Sequence, residues 1–395
     1  MSKLRELIDK YCPNGVEYKP LGDKDVSIMQ RGTSLTKKDS TEGIYPVISG
    51  GKTPAFYCDL SNRNGETITV AGSGAGAGYV QYWNEPIFVC DAFSIKGVGD
   101  VSTKYLYYCL VNMQEKIYAT KKGGGVPHVH ISSIDKFLIP IPPPLVQEEI
   151  VKILDRFAEY AAELQAELQA RQEQYEYYRN KLLTFNEIGG GIRDVIWMKM
   201  SEIGTFIRGN GLQKKDFTES GIPCIHYGQI YTHYGTFATK TKSYVSSETA
   251  KKCKKAHCGD LVFATVSENI DDVCKCVAWL GNEEICISGD SLAFSHNQNP
   301  KYIAYYFQTY AFARYKRSRV TGTKVIRLHQ SQLEQFEIPI PSLAEQARIV
   351  NILDKFETLV SDLVQGLPAE IAAVQEQYEY YRDKLLSFPK YKLSA

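Results

Sequence analysis

Two stretches of the chain carry apolar residues in alternating steps of three and four. In the first, Leu154, Phe157, Ala161, Leu164, Leu168, Arg171, Tyr175, Tyr178, Leu182 and Phe185 keep this spacing, with Arg171 the one polar member. A pattern sustained this long predicts a helix with a narrow coiled-coil stripe. The residues between are rich in Ala, Gln and Glu, all good helix formers. Prolines at 140, 142, 143 and 144 set its start. In the second stretch the stripe is Leu353, Phe356, Val360, Leu363, Leu367, Ile371, Val374, Tyr378, Tyr381, Leu385 and Phe388, with one extra step of four. Such a stutter keeps the stripe on one side and locally unwinds a supercoil. It coincides with Gly366-Leu367-Pro368, where a break is predicted, Pro368 restarting the helix in its first turn.

Elsewhere the apolar runs are short. ETITVA (66–71), PIFVCDAFSI (86–95) and DLVFATV (260–266) read as strands bounded by Gly and Asn. The first ten residues read as a short amphipathic helix. YLYYCL (105–110) and YIAYYFQTYAF (302–312) predict matching helices packed on sheets, with most rings in the core.

The resemblance between those helices extends to a duplication. IPIP recurs at 139–142 and 338–341, and ILDRF (153–157) returns as ILDKF (352–356), both offset by 199. YEYYRNKLLTF (175–185) returns as YEYYRDKLLSF (378–388), offset by 203. KKGGGVPHVHISSIDKF (121–137) matches VTGTKVIRLHQSQLEQF (320–336) more faintly. Two copies at this distance make two similar domains, not a solenoid. The expected class is α+β, with globular domains at 1–142 and 188–341 and helical segments at 143–187 and 342–395. Each helix packs on its own module, or the two pack on each other. The stripes outrun what one small domain would cover, which favours an antiparallel, pseudo-twofold coiled coil.

The chain has 395 residues, enough for two or three domains at roughly 150 residues each. No run approaches the ~18 apolar residues of a membrane span. The N-terminus, MSKLRELIDKY, lacks the apolar core of a signal peptide, so a cytoplasmic location and ten free thiols are expected. The overall net charge of +1 hides a segregation. The four segments carry +2, −4, +5 and −2 in order, so the modules are basic and the helices acidic.

Clustered cations neutralise backbone phosphates, so they are the candidate DNA contacts. In the first module these are Arg31, Lys37, Lys38, Lys52, Lys121, Lys122 and His128. In the second they are Arg208, Lys214, Lys215, Lys251, Lys252, Lys254, Lys255, Arg314, Lys316, Arg317, Arg319, Lys324 and Arg327. For any single pair a solvated surface is the simpler reading. Lys37-Lys38-Asp39 and Lys214-Lys215-Asp216 stand apart, because each follows a loop with Arg and Gly in matching places. The glycines beside Lys121 and Lys122 form either an anion-binding nest or a plain hairpin turn.

Catalytic signatures are missing. There is no Asn/Asp/Ser-Pro-Pro-aromatic motif to grip a flipped base, no phosphate loop, no HExxH and no G-x-S-x-G. AGSGAGAG (71–78) is followed by strand-like YVQYW instead of a helix, so a tight loop is the better reading than a dinucleotide site. Cys253, Cys258, Cys274, Cys276 and His257 fit no common zinc spacing. Cys274 and Cys276 are expected on one face of a strand, as reduced thiols.

The repeated IPIP, ILD[RK]F and YEYYR[ND]KLL segments around two dissimilar modules resemble the specificity subunit of type I restriction–modification systems, over essentially the full length. The resemblance implies that each module reads one half of a split double-stranded DNA site. It implies that the helices are a spacer binding two modification subunits, which restriction subunits then join. No cofactor is expected on this chain; methyl donor, ATP and magnesium belong to the partners. The rival readings are a stand-alone DNA-modifying enzyme with an unrecognised site, and a coiled-coil adaptor that never touches DNA. Activity of the purified chain with methyl donor would single out the first, and salt-independent failure to bind DNA the second.

The seam from Leu154 to Phe185 is 32 residues, roughly 48 Å at ~1.5 Å per residue. Against a DNA turn of ~34 Å, this predicts half-site centres about 10–14 base pairs apart. Inserting about four residues in the helix shifts a reader by ~6 Å, near two base pairs. A methylation map of that variant is expected to show a changed spacer between unchanged half-sites.

Overall fold

The computed structural model describes residues 2–123, 125–185, 195–361 and 366–391. The chain divides into two compact units, Met1–Ala166 with Ala369–Ala395, and Glu167–Pro368. Among the described residues, no helix is long and apolar enough to cross a membrane.

The first unit opens with the helix Ser2–Tyr11. Strand Glu17–Pro20 then pairs antiparallel with Leu138–Ile141, the first IPIP segment. The main sheet is antiparallel, in the order Ser27–Arg31, Ala92–Gly97, Thr67–Ala71, Val80–Trp83. All five residues of Thr67–Ala71 are buried, because both faces of this central strand are covered. Helix Thr103–Asn112 covers one face, capped by Ser102. Its Tyr105 is fully buried and donates its hydroxyl to Pro140 O at 2.9 Å. A smaller sheet sets Tyr45–Ile48 between Phe56–Cys58 and the parallel strand Phe88–Val89.

The second unit repeats the plan. Ile196–Lys199 pairs with Glu337–Ile340 in the register of the first unit's IPIP pair. The main sheet runs Gly204–Arg208, Ser291–His296, Leu261–Ala264, Cys276–Trp279, Phe237–Ala238. A second five-stranded sheet is centred on Ile222–Ile225. Tyr302 is buried and donates to Pro339 O at 2.7 Å, as Tyr105 does to Pro140.

Three expected elements are subdivided. PIFVCDAFSI is two strands in two different sheets, because the chain changes sheet at Cys90-Asp91. The aromatic run at 302–312 is two helices, Pro300–Tyr306 and Tyr310–Arg317, with Thr309 capping the second. Of the strand expected around Cys274 and Cys276, DDVCKCVAWL (271–280), only Cys276–Trp279 is strand. Cys274 has a φ of +61° and precedes the strand, so it shares no strand face with Cys276. Burial pushes the Cys274 thiol up to about 12. Among the described residues, no group of His, Cys, Asp and Glu is placed to hold a metal ion.

The conserved helices are Pro144–Leu182, Leu343–Ser361 and Leu367–Leu385. Gly366 is not helical and Pro368 sits in the first turn of the last helix, where the stutter predicts a restart. Each described stripe residue is buried or half-buried, and Leu363 lies outside the described residues. In the first unit Phe157 stacks on Tyr381, centroids 5.5 Å apart and planes 27° apart. In the second unit the equivalent pair, Phe356 and Tyr178, stacks at 5.6 Å and 22°. The two packings weighed from sequence are both present. Leu154, Leu385 and Leu386 join the first unit's module core, and Tyr175, Leu183, Leu353 and Val360 join the second's. The stripe is therefore wider than two residues per heptad, and Leu183 and Leu386 are core positions the heptad reading passed over.

A buried amide locks each helix start to its module. Gln147 donates to Pro142 O at 2.8 Å and accepts from Ser102 N at 2.9 Å. Gln346 donates to Pro341 O at 2.9 Å and accepts from Asn299 N at 3.0 Å. About two turns later, Asp155 takes Lys104 at 2.8 Å and the Tyr108 hydroxyl at 2.5 Å. Asp354 takes Lys301 at 2.8 Å and the Tyr305 hydroxyl at 2.7 Å.

Gln147→Ala or Gln346→Ala strands buried backbone groups without partners, at a cost of about 1–3 kcal/mol each. Urea unfolding is expected to show that loss. A second expectation concerns acid. His296 accepts from Gln298 N at 3.0 Å through Nδ1, while Nε2 is buried without a partner. Burial lowers its pKa from 6.5 to about 4. Below 6.5 the unfolded chain takes up a proton that the folded chain declines, so stability falls as pH drops towards 4. At about pH 5 the loss is on the order of 2 kcal/mol. His296→Asn keeps an acceptor for Gln298 and is expected to remove that part of the acid sensitivity.

Candidate nucleic-acid interface

Each unit ends the first strand of its main sheet in an arginine followed by a glycine. Gly32 N donates to Ala92 O at 2.9 Å, and Gly209 N to Ser291 O at 3.0 Å. A Cβ at Gly32 would strike the carbonyls of Val89, Cys90 and Ala92; at Gly209 it would strike those of Ile287 and Ser288. This close approach demands glycine and fixes where Arg31 and Arg208 emerge. Both units then make the same single turn of 3-10 helix, Lys37–Asp39 and Lys214–Asp216. Asp39 accepts from Thr36 Oγ1 at 2.5 Å and Asp216 from Gln213 N at 2.8 Å. The acid is occupied in holding the turn, and the paired lysines stay exposed.

A short hairpin recurs as well. Lys122 and His128 exchange backbone hydrogen bonds at 3.0 and 2.8 Å, and Thr321 and Arg327 exchange theirs at 2.9 Å each. Gly123 (φ +111°) and Gly322 (φ +96°) sit at matching points, each with its Cβ direction blocked by the carbonyl of Val126 or Val325. The glycine run is thus part of a hairpin, and of the proposed anion nest Gly124 lies outside the described residues.

Backbone contacts join these pieces. In the first unit Val129 N donates to Gly72 O at 3.0 Å, Gly72 N to Asp91 O at 3.0 Å, and Ser73 Oγ to the Asp91 carboxylate. A Cβ at Gly50 would strike the carbonyl of Ser73, and one at Gly76 would strike the carbonyl of Gly50. AGSGAGAG is therefore a tight loop between two strands, clasped by the hairpin. The Lys52 ammonium lies 5.2 Å from the Tyr79 ring centroid and Lys121 4.0 Å from that of Tyr118. Leu35 N reaches Cys90 Sγ at 3.3 Å, which ties the segment leading into the Lys37–Asp39 turn to the crossing between the two sheets. Lys122 and His128 belong to the hairpin of that network, and Arg31 precedes Gly32, whose N–H donates to Ala92 O.

In the second unit Leu328 N donates to Thr265 O at 3.3 Å and Thr265 N to Asp290 O at 2.9 Å. The Arg327 guanidinium lies 3.1 Å from the Asp290 carboxylate. Lys254 N donates to Asn210 Oδ1 at 2.8 Å, bringing Lys251, Lys252 and Lys254 beside the Arg208-Gly209 turn. Lys324 is exposed on the hairpin, and Arg319, over the Tyr315 ring at 3.9 Å, leads into it. Arg314 is exposed, and Arg317 sits 3.1 Å from Asp271.

Besides the ion-paired Arg317 and Arg327, two more candidate cations are engaged. Lys316 is only 6% exposed and donates to Asp271 O at 2.6 Å and Val273 O at 3.2 Å. Burial lowers its pKa, and its ammonium fastens the loop before Cys274 instead of facing solvent. Lys255 pairs with Glu284 at 2.7 Å, and that hydrogen bond raises its pKa. His226, which sequence reasoning passed over, lines a cleft with Arg208 and Lys214. Its signal was available: IHYG at 225–228 stands where the first copy has ISGG at 48–51.

Comparison with known proteins agrees with this plan. The type I restriction modification DNA specificity domain matches twice, over residues 13–174 and 194–373. The EcoR124I/EcoR124II specificity subunit of Escherichia coli is 30% identical, covering 99% of this chain and 98% of that protein. A putative type I restriction enzyme specificity subunit of Haemophilus influenzae is 30% identical, over 98% of this chain and all (100%) of its own length. Among solved structures, the type I S subunit from M. genitalium shares the fold with a TM-score of 0.57 at 17% identity, covering 96% of this chain and 97% of its own. A chain from the assembly of a type I R-M system gives a TM-score of 0.62 at 16% identity, covering 95% and 98%. With the domain found in both halves and a 30% identical relative matched end to end, this chain belongs to the type I restriction modification DNA specificity family.

Proposed function

We propose that this chain is a non-catalytic, cytoplasmic DNA-binding subunit that reads a split, asymmetric double-stranded site and brings modification and restriction subunits to it. Residues 1–142 and 188–341 are its two target-recognition domains. Residues 143–187 and 342–395 are the spacer, and two modification subunits dock there. Methyl donor, ATP and magnesium are held by the partners.

The observation that carries this reading is the repetition of one cationic arrangement in both units. Each has an Arg-Gly strand end, a Lys-Lys-Asp turn and a hairpin joined by backbone hydrogen bonds. Phosphate contacts of this kind position a protein on DNA, while base contacts specify the sequence. The scaffold is shared and the side chains on it differ, which supports two different half-sites. The family match and the absence of catalytic motifs support a reader that leaves the chemistry to others.

The test is a genome-wide methylation map with the cognate modification subunit expressed with and without this chain. A split, asymmetric motif that appears only with the chain is expected. The same adenine or cytosine pattern in its absence would overturn the proposal. The two classes of lysine give a finer expectation. Lys37→Ala with Lys38→Ala is expected to lower the slope of log K against log salt by up to about 2, near 0.9 per phosphate, with unchanged melting. Lys316→Ala is expected to lower the melting temperature and leave the slope alone.

A further inference from the structure

A cleft of about 390 Å³ opens in the second unit between the Arg208-Gly209 turn, the Lys214–Asp216 turn and the end of strand Ile222–Ile225. Arg208, Lys214, His226, Tyr227 and Asp290 are among its walls. We propose that this cleft seats one backbone phosphate of DNA, held by the Arg208 guanidinium, the Lys214 ammonium and the Nε2–H of His226. The proposal rests on the DNA-binding reading above and adds to it a named anion seat and an unassigned ligand, His226.

His226 is 6% exposed, yet its ring is held with one nitrogen unused. Nδ1 accepts from Gly228 N at 3.1 Å, which places the proton of the neutral ring on Nε2. Tyr227 lies against one side of the ring, centroids 4.5 Å apart, and Phe217 meets it edge-on at 5.9 Å. Among the described residues Nε2 has no hydrogen-bond partner. The ring is nearly buried and its orientation is fixed, while Nε2 itself is reached by solvent in the cleft wall, where it is free to donate to an anion that enters. Burial, with the nearby charge of Lys214, keeps the ring below the ordinary imidazole pKa, so at neutral pH it offers a hydrogen bond and no charge.

The charges of the cleft favour an anion. Arg208 uses Nε on Gly289 O at 3.2 Å, which leaves both terminal nitrogens. Lys214 is exposed at the head of its turn. Asp290 does not cancel them, because its carboxylate is tied to Arg327 at 3.1 Å. Ser288 Oγ accepts from Tyr227 N at 2.9 Å and shares a hydrogen bond with Ser291 at 2.8 Å, so it offers no strong acceptor. Three donors from two cations and a neutral imidazole suit a phosphodiester, which is acceptor-only. Base edges present mixed donors and acceptors. The first unit keeps Arg31 and Lys37 at the corresponding places but has Ser49 and Gly50 where His226 and Tyr227 stand. The seat therefore belongs to the second unit alone.

The experiment uses the full chain with its modification subunits and duplexes carrying its mapped site, with methylphosphonate replacing one phosphate at a time. His226→Ala is expected to weaken binding roughly tenfold, by the same factor on cognate and unrelated duplexes. His226→Gln, whose amide donates from a similar reach, is expected to recover part of it. Methylphosphonate at one position in the second half-site is expected to weaken the wild-type complex by more than it weakens His226→Ala, in which Arg208 and Lys214 still hold that phosphate. Equal affinity of wild type and both variants would overturn the seat, as would a loss confined to particular base pairs, which marks a base reader. Relief of the His226→Ala difference by millimolar inorganic phosphate without DNA competition would assign the cleft to a free anion, which also overturns it. A wild-type complex that binds no duplex at all would overturn the DNA-binding reading itself.

Discussion

Neither unit closes its hydrophobic core with module residues alone. In the first, the sheet and helix Thr103–Asn112 leave an apolar face that Ile150, Leu154, Leu385 and Leu386 complete. In the second, Tyr175, Leu183, Ile349 and Leu353 do the same for Tyr302, Tyr305 and Tyr306. A fully buried aliphatic side chain contributes about 1.5–3 kcal/mol, so a handful of such residues is comparable to a domain's whole stability. The conserved helices are therefore part of the fold of each reader as well as its spacer. Their stacked rings, Phe157 on Tyr381 and Phe356 on Tyr178, are where two helices and a module meet.

The polar contacts follow the same duplication. Lys104, Asp155 and Tyr108 in one unit correspond to Lys301, Asp354 and Tyr305 in the other. A half-buried carboxylate with a cation and a hydroxyl is satisfied in a way one partner would not achieve. Such a cluster has one good geometry, so it sets the angle at which each helix leaves its module. The hydroxyls of Tyr108 and Tyr305 are pushed far above the ordinary phenol range by burial and by the carboxylates they bond, so they remain donors across the working pH range.

Much of this was legible in the sequence because it is periodic or repeated. The helices, the repeated IPIP segments that precede them and the paired Lys-Lys-Asp motifs depend on local patterns that a duplication prints twice; that IPIP forms strands came only from its pairing. The remainder depends on contacts between distant residues. Lys316 sits in a run of cations that reads as solvated, but the fold brings the carbonyls of Asp271 and Val273 to its ammonium. PIFVCDAFSI has the composition of one strand, and only the pairing partners of Phe88 and Ala92 show that it serves two sheets. Leu183 and Leu386 escape a heptad reading because that reading assumes one packing partner, and these helices have two. His226 was overlooked because the difference between IHYG and ISGG in the two copies gains meaning only once the turn of Arg208 and Lys214 is folded beside it.

The division of the chain has a consequence for biosynthesis. The second unit is a single continuous stretch, so all its parts are present once residue 368 has left the ribosome. The first unit is not. Its module and the first half of the long helix must wait for Leu385 and Leu386 to join Leu154, and for Tyr381 to stack on Phe157, more than two hundred residues later. Throughout that interval the earlier-made half exposes apolar surface while the later-made half is able to fold. The chain matures out of order, and a nascent first module is a natural client for a holdase until the last helix arrives.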